Sequence, residues 1–315
     1  MTAGNPSPFA AGTRLAGLLS RLACPACRAG LRPIPEGLRC ESCGRIYPVR
    51  GEMPVLLDEA SAAEIEAARG AAENVLLRSR LGRLARIADV IRPPHPFLFI
   101  NGRACREAFS ALVADAGPDG VILDIGSGLL KGLNAAGLSQ YVREHLVPLE
   151  IAAGPGIGVV GDAHKLPWRD ASLDGALIQG VLEHVRDPIG IVGEIFRVLK
   201  PGAPVYADVP FLQHYHLDPL DFRRYTVYGF EQLFGRFDLV RSGVAAGPAS
   251  ALADMLTEFP ALPFRSPALY WGVKFVSGWL TSPLRFLDLL WGRAERAHIA
   301  AGAVYVLGRK PALPG

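Results

Sequence analysis

Six short β-rich runs, VILDIG (121–126), GVVGDA (158–163), GALIQG (175–180), PVYADVP (204–210), FDLVRSGV (237–244) and AVYVLGRK (303–310), set the frame for this chain. Helical patterns alternate with the earlier ones. Alternation of this kind calls for an α/β fold with a mostly parallel, doubly wound, Rossmann-like sheet and helices on both faces. The clearest helix is DPIGIVGEIFRVLKPG, residues 187–202. Asp187 is placed to cap it, Pro188 opens it and Gly202 follows its end. Val192, Ile195, Phe196 and Leu199 fall on one stripe that should face the sheet.

Ahead of this region stands CPACRAGLRPIPEGLRCESC, residues 24–43, with four of the chain's five cysteines. No secretory signal is read in the first 23 residues, because Arg14 and Arg21 interrupt their apolar stretch; an organellar transit peptide is the alternative. No uninterrupted apolar run reaches the roughly 18 residues of a spanning helix. A cytoplasmic location is therefore expected, where a disulfide framework is disfavoured. Cys24, Cys27, Cys40 and Cys43 form two CxxC pairs, and two such knuckles close a four-sulfur zinc site. A redox pair or a chance spacing are the competing readings. With no open ligand position the zinc would be structural. Cys105 reads as a small buried hydrophobe. Net charge is only +3, and five of the 33 basic residues are lysine. That balance gives no nucleic-acid surface by itself.

The run CGRIYPVRGEMPVLL (43–57) resembles zinc-ribbon domains related to tRNA-methyltransferase activator proteins, over roughly residues 20–58. The expected N-terminal segment and ribbon thus occupy 1–60. Ser61 and Glu64 have capping-box spacing, and a linker helix is expected over 61–96, ending at the IRPPHP break.

In VILDIGSG a buried strand runs into a glycine turn. It is not a dinucleotide GxGxxG, since the sixth position of GSGLLK is Lys131, which disfavours a nicotinamide-dependent oxidoreductase. VLDIGSG, an acidic residue closing the next strand, GDAHKLPW, LEHV and RVLKPG follow one another in the order found in class I S-adenosylmethionine-dependent methyltransferases. The resemblance covers roughly residues 100–245 and implies a methyltransferase domain over 97–315. It implies that Asp124, Gly126, Ser127 and Gly128 lie by the methionine end of the cofactor. Glu150 would take the ribose hydroxyls, Asp162 and the Ala163 backbone would meet the adenine, and Gln179, at the mouth of the fourth strand, would also contact the methionine end of the cofactor. Each has a plainer reading: turn glycines, a helix-cap partner, an exposed strand-end acid, a turn former.

No catalytic residue is assigned. His184, Asp208, His214 and His216 are the candidate bases if the acceptor must lose a proton. His214 and His216 would share one face of an extended segment and could also pair on a metal. FLQHYHLDPLDFRRYT (211–226) reads either as a turn leading to a helix capped by Thr226, or as a lid whose Arg223 and Arg224 grip an anionic substrate. The apolar, aromatic segment at about 250–300 is a helical cover for the sheet, a greasy acceptor pocket, or a membrane-surface contact through 266–292. The acceptor is expected to be a small metabolite, a lipid-linked intermediate or a saccharide. Ribosomal or transfer RNA is the alternative, and a non-catalytic binding module the third.

Overall fold

The computed structural model describes residues 8–10, 12–61, 63, 102–117, 119–126, 145–154, 156–215 and 220–312. The linker helix expected at 61–96 lies almost wholly outside these residues, as do Ser127, Gly128 and His216; the Cys105 side chain is likewise not described.

The N-terminal part begins with the short helix α1 (Arg14–Leu18), capped by Thr13. Strands β1 (Leu31–Ile34), β2 (Gly37–Cys40) and β3 (Ile46–Tyr47) form an antiparallel sheet of their own. Two further strands, β4 (Val49–Arg50) and β5 (Met53–Leu56), make a hairpin that leaves this sheet. The backbone turns helical just after, and Asp58 is the cap, accepting the Ser61 N–H at 2.8 Å. The sequence places that cap at Ser61. The Ser61 hydroxyl is engaged elsewhere, with Asp162.

The remainder runs α2 (Gly102–Ala116), β6 (Ile122–Ile125), β7 (Leu146–Glu150), β8 (Val159–Gly161), β9 (Gly175–Gln179), α3 (Pro188–Val198), β10 (Pro204–Pro210), α4 (Val227–Leu233), β11 (Asp238–Ala246), α5 (Pro248–Glu258), α6 (Pro267–Thr281), α7 (Asp288–Trp291) and β12 (Ala303–Arg309). One large sheet has the order β11-β12-β10-β9-β6-β7-β8-β5-β4. The pairings β10–β9, β9–β6, β6–β7, β7–β8 and β8–β5 are parallel, while β12 and β4 run antiparallel to their neighbours. All residues of β6 and β10 are buried, as expected for strands covered on both faces. Helix α3 forms as its sequence dictates: Asp187 accepts the Gly190 N–H at 2.9 Å, and Val192 and Ile195 are buried.

The ribbon and the α/β part share one apolar core. Leu15, Leu22, Leu38, Tyr47 and Leu56 belong to the same cluster as Leu149, Val159, Trp168 and Ile195. Polar ties follow the same seam. Arg21 donates to the Asp174 carboxylate and to the Ser172 carbonyl, both at 2.7 Å. Ala23 N–H donates to the Pro167 carbonyl at 3.0 Å.

Truncating Trp168, fully buried at this seam, to Ala should cost about 3–5 kcal/mol. Denaturation followed by cysteine reactivity in the ribbon and by far-UV circular dichroism should shift together as one transition. Separate transitions would mean that the two parts do not share a core.

Candidate functional site

The four cysteines converge. Their Sγ atoms all lie within 4.8 Å of one another; Cys24 and Cys43 are 3.7 Å apart and Cys27 and Cys40 3.4 Å. A tetrahedral ion with bonds of about 2.3 Å needs ligand separations of ~3.8 Å, so the set fits zinc. Each knuckle closes through one left-handed residue directly after its second cysteine, Arg28 at φ 63° and Gly44 at φ 73°. Arg28 extends from its knuckle to the Glu194 carboxylate of α3, 3.1 Å away.

Strand order reverses at β6, with β7 and β8 on one side and β9 and β10 on the other. Open α/β sheets bind ligands beyond the carboxyl ends of their strands at such a point. Several expected residues stand there. Asp124 is buried on β6; burial first, then the charge of Glu150, pushes its carboxyl up to about 7. Gly126 follows at φ 70°, its N–H donating to the Leu149 carbonyl at 3.0 Å. A Cβ at Gly126 would stand 2.3 Å from the Val181 side chain. Glu150 ends β7.

Asp162 caps the 3-10 turn Ala163–Lys165. Its Oδ1 accepts the His164 backbone N–H and meets His164 Nδ1, both at 2.9 Å, and its Oδ2 accepts the Ser61 hydroxyl at 2.7 Å. Burial would raise this carboxyl, but the bonds from His164 and Ser61 outweigh it and hold it near 2. Lys165 pairs with Asp58 at 2.5 Å. The tail of the ribbon thus fastens the turn on which Asp162 and Ala163 sit.

On the other side, the Gln179 amide donates to Asp208 Oδ2 at 2.7 Å, and Tyr206 Oη donates to the same atom at 3.0 Å. Asp208 is buried, which pushes it up to about 6 against the pull of those donors. His184 is turned toward the Leu220 carbonyl, 2.6 Å from Nδ1. His214 is engaged by Asp254 of α5, with Nδ1 at 2.7 Å from Oδ2. Arg223 donates to the Val185 and Arg186 carbonyls, while Arg224 forks onto Asp221 and reaches the His214 carbonyl. Thr226 caps α4 by accepting the Gly229 N–H. The described parts of this segment, 211–215 and 220–226, are therefore bonded to one another and to the 185–186 backbone, and both arginines serve that shape.

Beside Asp208 lies a cavity of about 300 Å³, lined among others by Glu183, Asp208, Ser250, Asp254 and Arg285. Glu183 is 1% exposed and, among the described residues, its Oε2 has no hydrogen-bond partner, nor has Ser250 Oγ. Burial, with the charge of Asp208 adding to it, raises Glu183 to about 7. The sequence reading passed over Glu183 in favour of its neighbour His184 in LEHV. Its signal was a carboxylate one residue from a candidate base, directly after a strand mouth. Arg285 also went unassigned, although a lone arginine inside an aromatic, apolar run was a signal in itself.

Residues 123–207 match the family model described as methyltransferase domain, and residues 17–52 match that of the Trm112p-like proteins. In chain order, a match to the Trm112p-like proteins is thus followed by a match to a methyltransferase domain. Among curated relatives, an uncharacterized methyltransferase of Mycobacterium sp. (strain KMS) is 37% identical over 90 residues, 26% of this chain and 35% of that one. Demethylmenaquinone methyltransferase of Desulfitobacterium hafniense is 33% identical over 108 residues, 32% and 38% of the two chains. The chain thus spans about a third of the length of these curated relatives. Among solved structures, a complex of the Haloferax volcanii Trm112 methyltransferase activator with a putative methyltransferase superposes with TM-score 0.44 at 15% identity, covering 76% of this chain and 100% of that one.

Metal analysis of the folded protein should give one zinc per chain, and Cys27→Ser should lower that content and the melting temperature together. A folded, zinc-free protein would overturn the site. Ser61→Ala removes a buried donor to Asp162 and should cost about 1–3 kcal/mol at neutral pH. Asp162 is held below its ordinary value, so its contribution is present above about pH 4 and is lost as pH falls toward 2. The Ser61→Ala deficit should therefore shrink in acid, which denaturation at stepped pH would show.

Proposed function

We propose that the protein is an S-adenosylmethionine-dependent methyltransferase acting on a small-molecule or lipid-linked acceptor held in the cavity beside Asp208. The observation that carries this reading is the placement of the Asp124–Gly126 turn, Glu150, Asp162 and Gln179 around one switch point. The unpartnered Glu183 Oε2 lies on the adjoining cavity wall. The fit to the cofactor rests on two features. Gly126 turns the chain at φ 70° where a Cβ would collide with Val181, and Asp124 and Glu150 set two carboxyls close enough to repel at the ends of neighbouring strands.

When bound, the cofactor supplies an electrophilic methyl group on a sulfonium. Glu150 is suited to accept the ribose hydroxyls. Asp162 acts by fixing its turn, since Ser61 and His164 already bond its carboxylate, so the Ala163 backbone is the element it presents. Gln179 holds Asp208 and shapes the wall between cofactor and acceptor. The chain's task is then to orient the acceptor and exclude water. Glu183 is the group placed to take a proton from an acceptor hydroxyl or ammonium, and a carboxyl near 7 is matched to that work. His184 and His214, bonded to Leu220 and Asp254, are positioning residues on this reading.

The Trm112p-like match supports a second reading, methylation of tRNA or ribosomal RNA. The cavity supports the small acceptor instead, because Glu183, Asp208 and Asp254 outnumber Arg285 among its charged lining and so disfavour a phosphodiester.

Calorimetry should show S-adenosylmethionine binding that is weakened by about 1–3 kcal/mol in Glu150→Ala, while Gly126→Val should lower the melting temperature as well as the affinity, because its Cβ would meet Val181 at a left-handed φ. Absence of binding by the native protein would remove the enzyme reading in favour of a binding module. Labelled methyl transfer into host extract, fractionated into lipid, RNA and small molecules, should place label outside RNA. Its rate should rise with pH through about 7, and Glu183→Gln should abolish that rise.

A further inference from the structure

Helix α6 is built inside out. At roughly 100° per residue, Leu269, Trp271, Phe275, Val276, Trp279 and Leu280 fall on one half of its circumference, and all six are exposed, Leu280 at 74%. The opposite half carries Tyr270, Lys274, Ser277 and Thr281, spaced 4, 3 and 4 residues apart and only half-exposed. Three of these polar groups bond inward to α5. Tyr270 and Lys274 both meet Glu258, the latter at 2.5 Å, and Thr281 meets Thr257 at 2.7 Å. A helix standing in water places these two faces the other way round. No residue of α6 is buried.

The neighbouring turns extend the same surface. Phe259, Leu262, Phe286, Leu289, Leu290 and Trp291 are exposed as well. Three of the chain's four tryptophans lie here, each about half exposed, while the fourth, Trp168, is fully buried. The charges have one dominant sign. Between 259 and 299 the sequence holds five basic residues (Arg265, Lys274, Arg285, Arg293, Arg296) and two acidic ones (Asp288, Glu295). Of these, Arg265, Arg293, Arg296 and Glu295 are exposed. Among the described residues, no helix is long and apolar enough to cross a membrane.

We propose that the outward face of residues 259–299 docks the protein on the surface of an anionic phospholipid bilayer. The exposed half of α6 and the Phe286–Trp291 turn enter the headgroup boundary, and Arg265, Arg293 and Arg296 meet lipid phosphates. Apolar burial with interfacial tryptophan and a basic rim is the chemistry of helices that lie in a membrane interface. The same segment supplies Arg285 to the cavity wall, and α5, on which α6 packs, supplies Ser250 and Asp254. Docking would therefore bring the cavity to an acceptor borne by the bilayer; this consequence, though not the docking, rests on the methyltransferase reading.

The test is flotation of the full chain with vesicles of phosphatidylcholine alone and of phosphatidylcholine with one-third phosphatidylglycerol. The protein should float with the anionic vesicles, its tryptophan emission should shift to the blue, and brominated acyl chains should quench it. Trp279→Glu with Leu280→Glu should reduce the bound fraction at least tenfold, with circular dichroism and cofactor affinity unchanged. Each of Arg265→Ala, Arg293→Ala and Arg296→Ala should weaken partitioning about fivefold. No flotation, whether the protein is a monomer or a dimer split by Leu280→Glu, overturns the proposal, and the dimer would make the face a contact between two copies. Flotation without S-adenosylmethionine binding by calorimetry would sink the methyltransferase reading and leave the docking face standing.

Discussion

The parallel pairing of β5 with β8 governs how this molecule is put together. It converts the last hairpin of a cysteine-knuckle ribbon into the edge of a nine-stranded sheet. Leu56 is carried into the common core with Leu149 and Val159. The chain leaving β5 is then aimed at the carboxyl end of β8, where Asp58 meets Lys165 and Ser61 meets Asp162. The metal-binding part is thereby connected to the ligand end of the sheet by a short, rigid path. A second path runs from Arg28 in the first knuckle to Glu194, which also accepts the Leu166 N–H at 3.0 Å and the fork of Arg197. Both paths end on the turn that holds Ala163.

The carboxylates at the strand ends are tuned in opposite directions by what surrounds them. Asp162 has three bonds from protein donors and is held low. Asp124 and Glu183 are buried with too little compensation and are pushed up to about 7, and Asp208 to about 6. A fully bonded acid is a structural element. A buried acid with an idle oxygen, such as Glu183, keeps capacity for a partner that the protein does not supply. Between 4.5 and 7 the native Glu183 holds a proton that the unfolded chain has released, so it costs stability as pH rises through that window.

What was legible in the sequence was legible for local reasons. Strands β6 and β10 are buried on both faces and read as apolar runs, each interrupted by one aspartate. Helix α3 carries its cap and its stripe within sixteen residues, and the CxxC spacing encodes the metal geometry directly. What was not legible depends on residues far apart in the chain. Strands β4 and β5 are two and four residues long, and nothing in them announces that they join a sheet built from residues after 120. The bond between Ser61 and Asp162 spans 101 positions, so it moved the cap to Asp58 without a local trace. Arg223 and Arg224 have the composition of an anion grip, but the carbonyls of Val185, Arg186 and His214 claim them. Glu183 acquires its meaning only when Ser250, Asp254 and Arg285 are brought beside it.

The covalent continuity of ribbon and sheet has a consequence for stoichiometry. A separate ribbon would have to find the β8 edge by diffusion, and its occupancy would follow the abundance of two chains. Here the edge is presented with its cover at an effective concentration set by the chain itself, through the connection that runs from β5 to α2. Synthesis of one polypeptide therefore yields equal numbers of both parts, and dilution cannot strip one from the other. Control over this protein by release of the ribbon would require loss of its metal or cutting of the chain, not competition for a shared subunit.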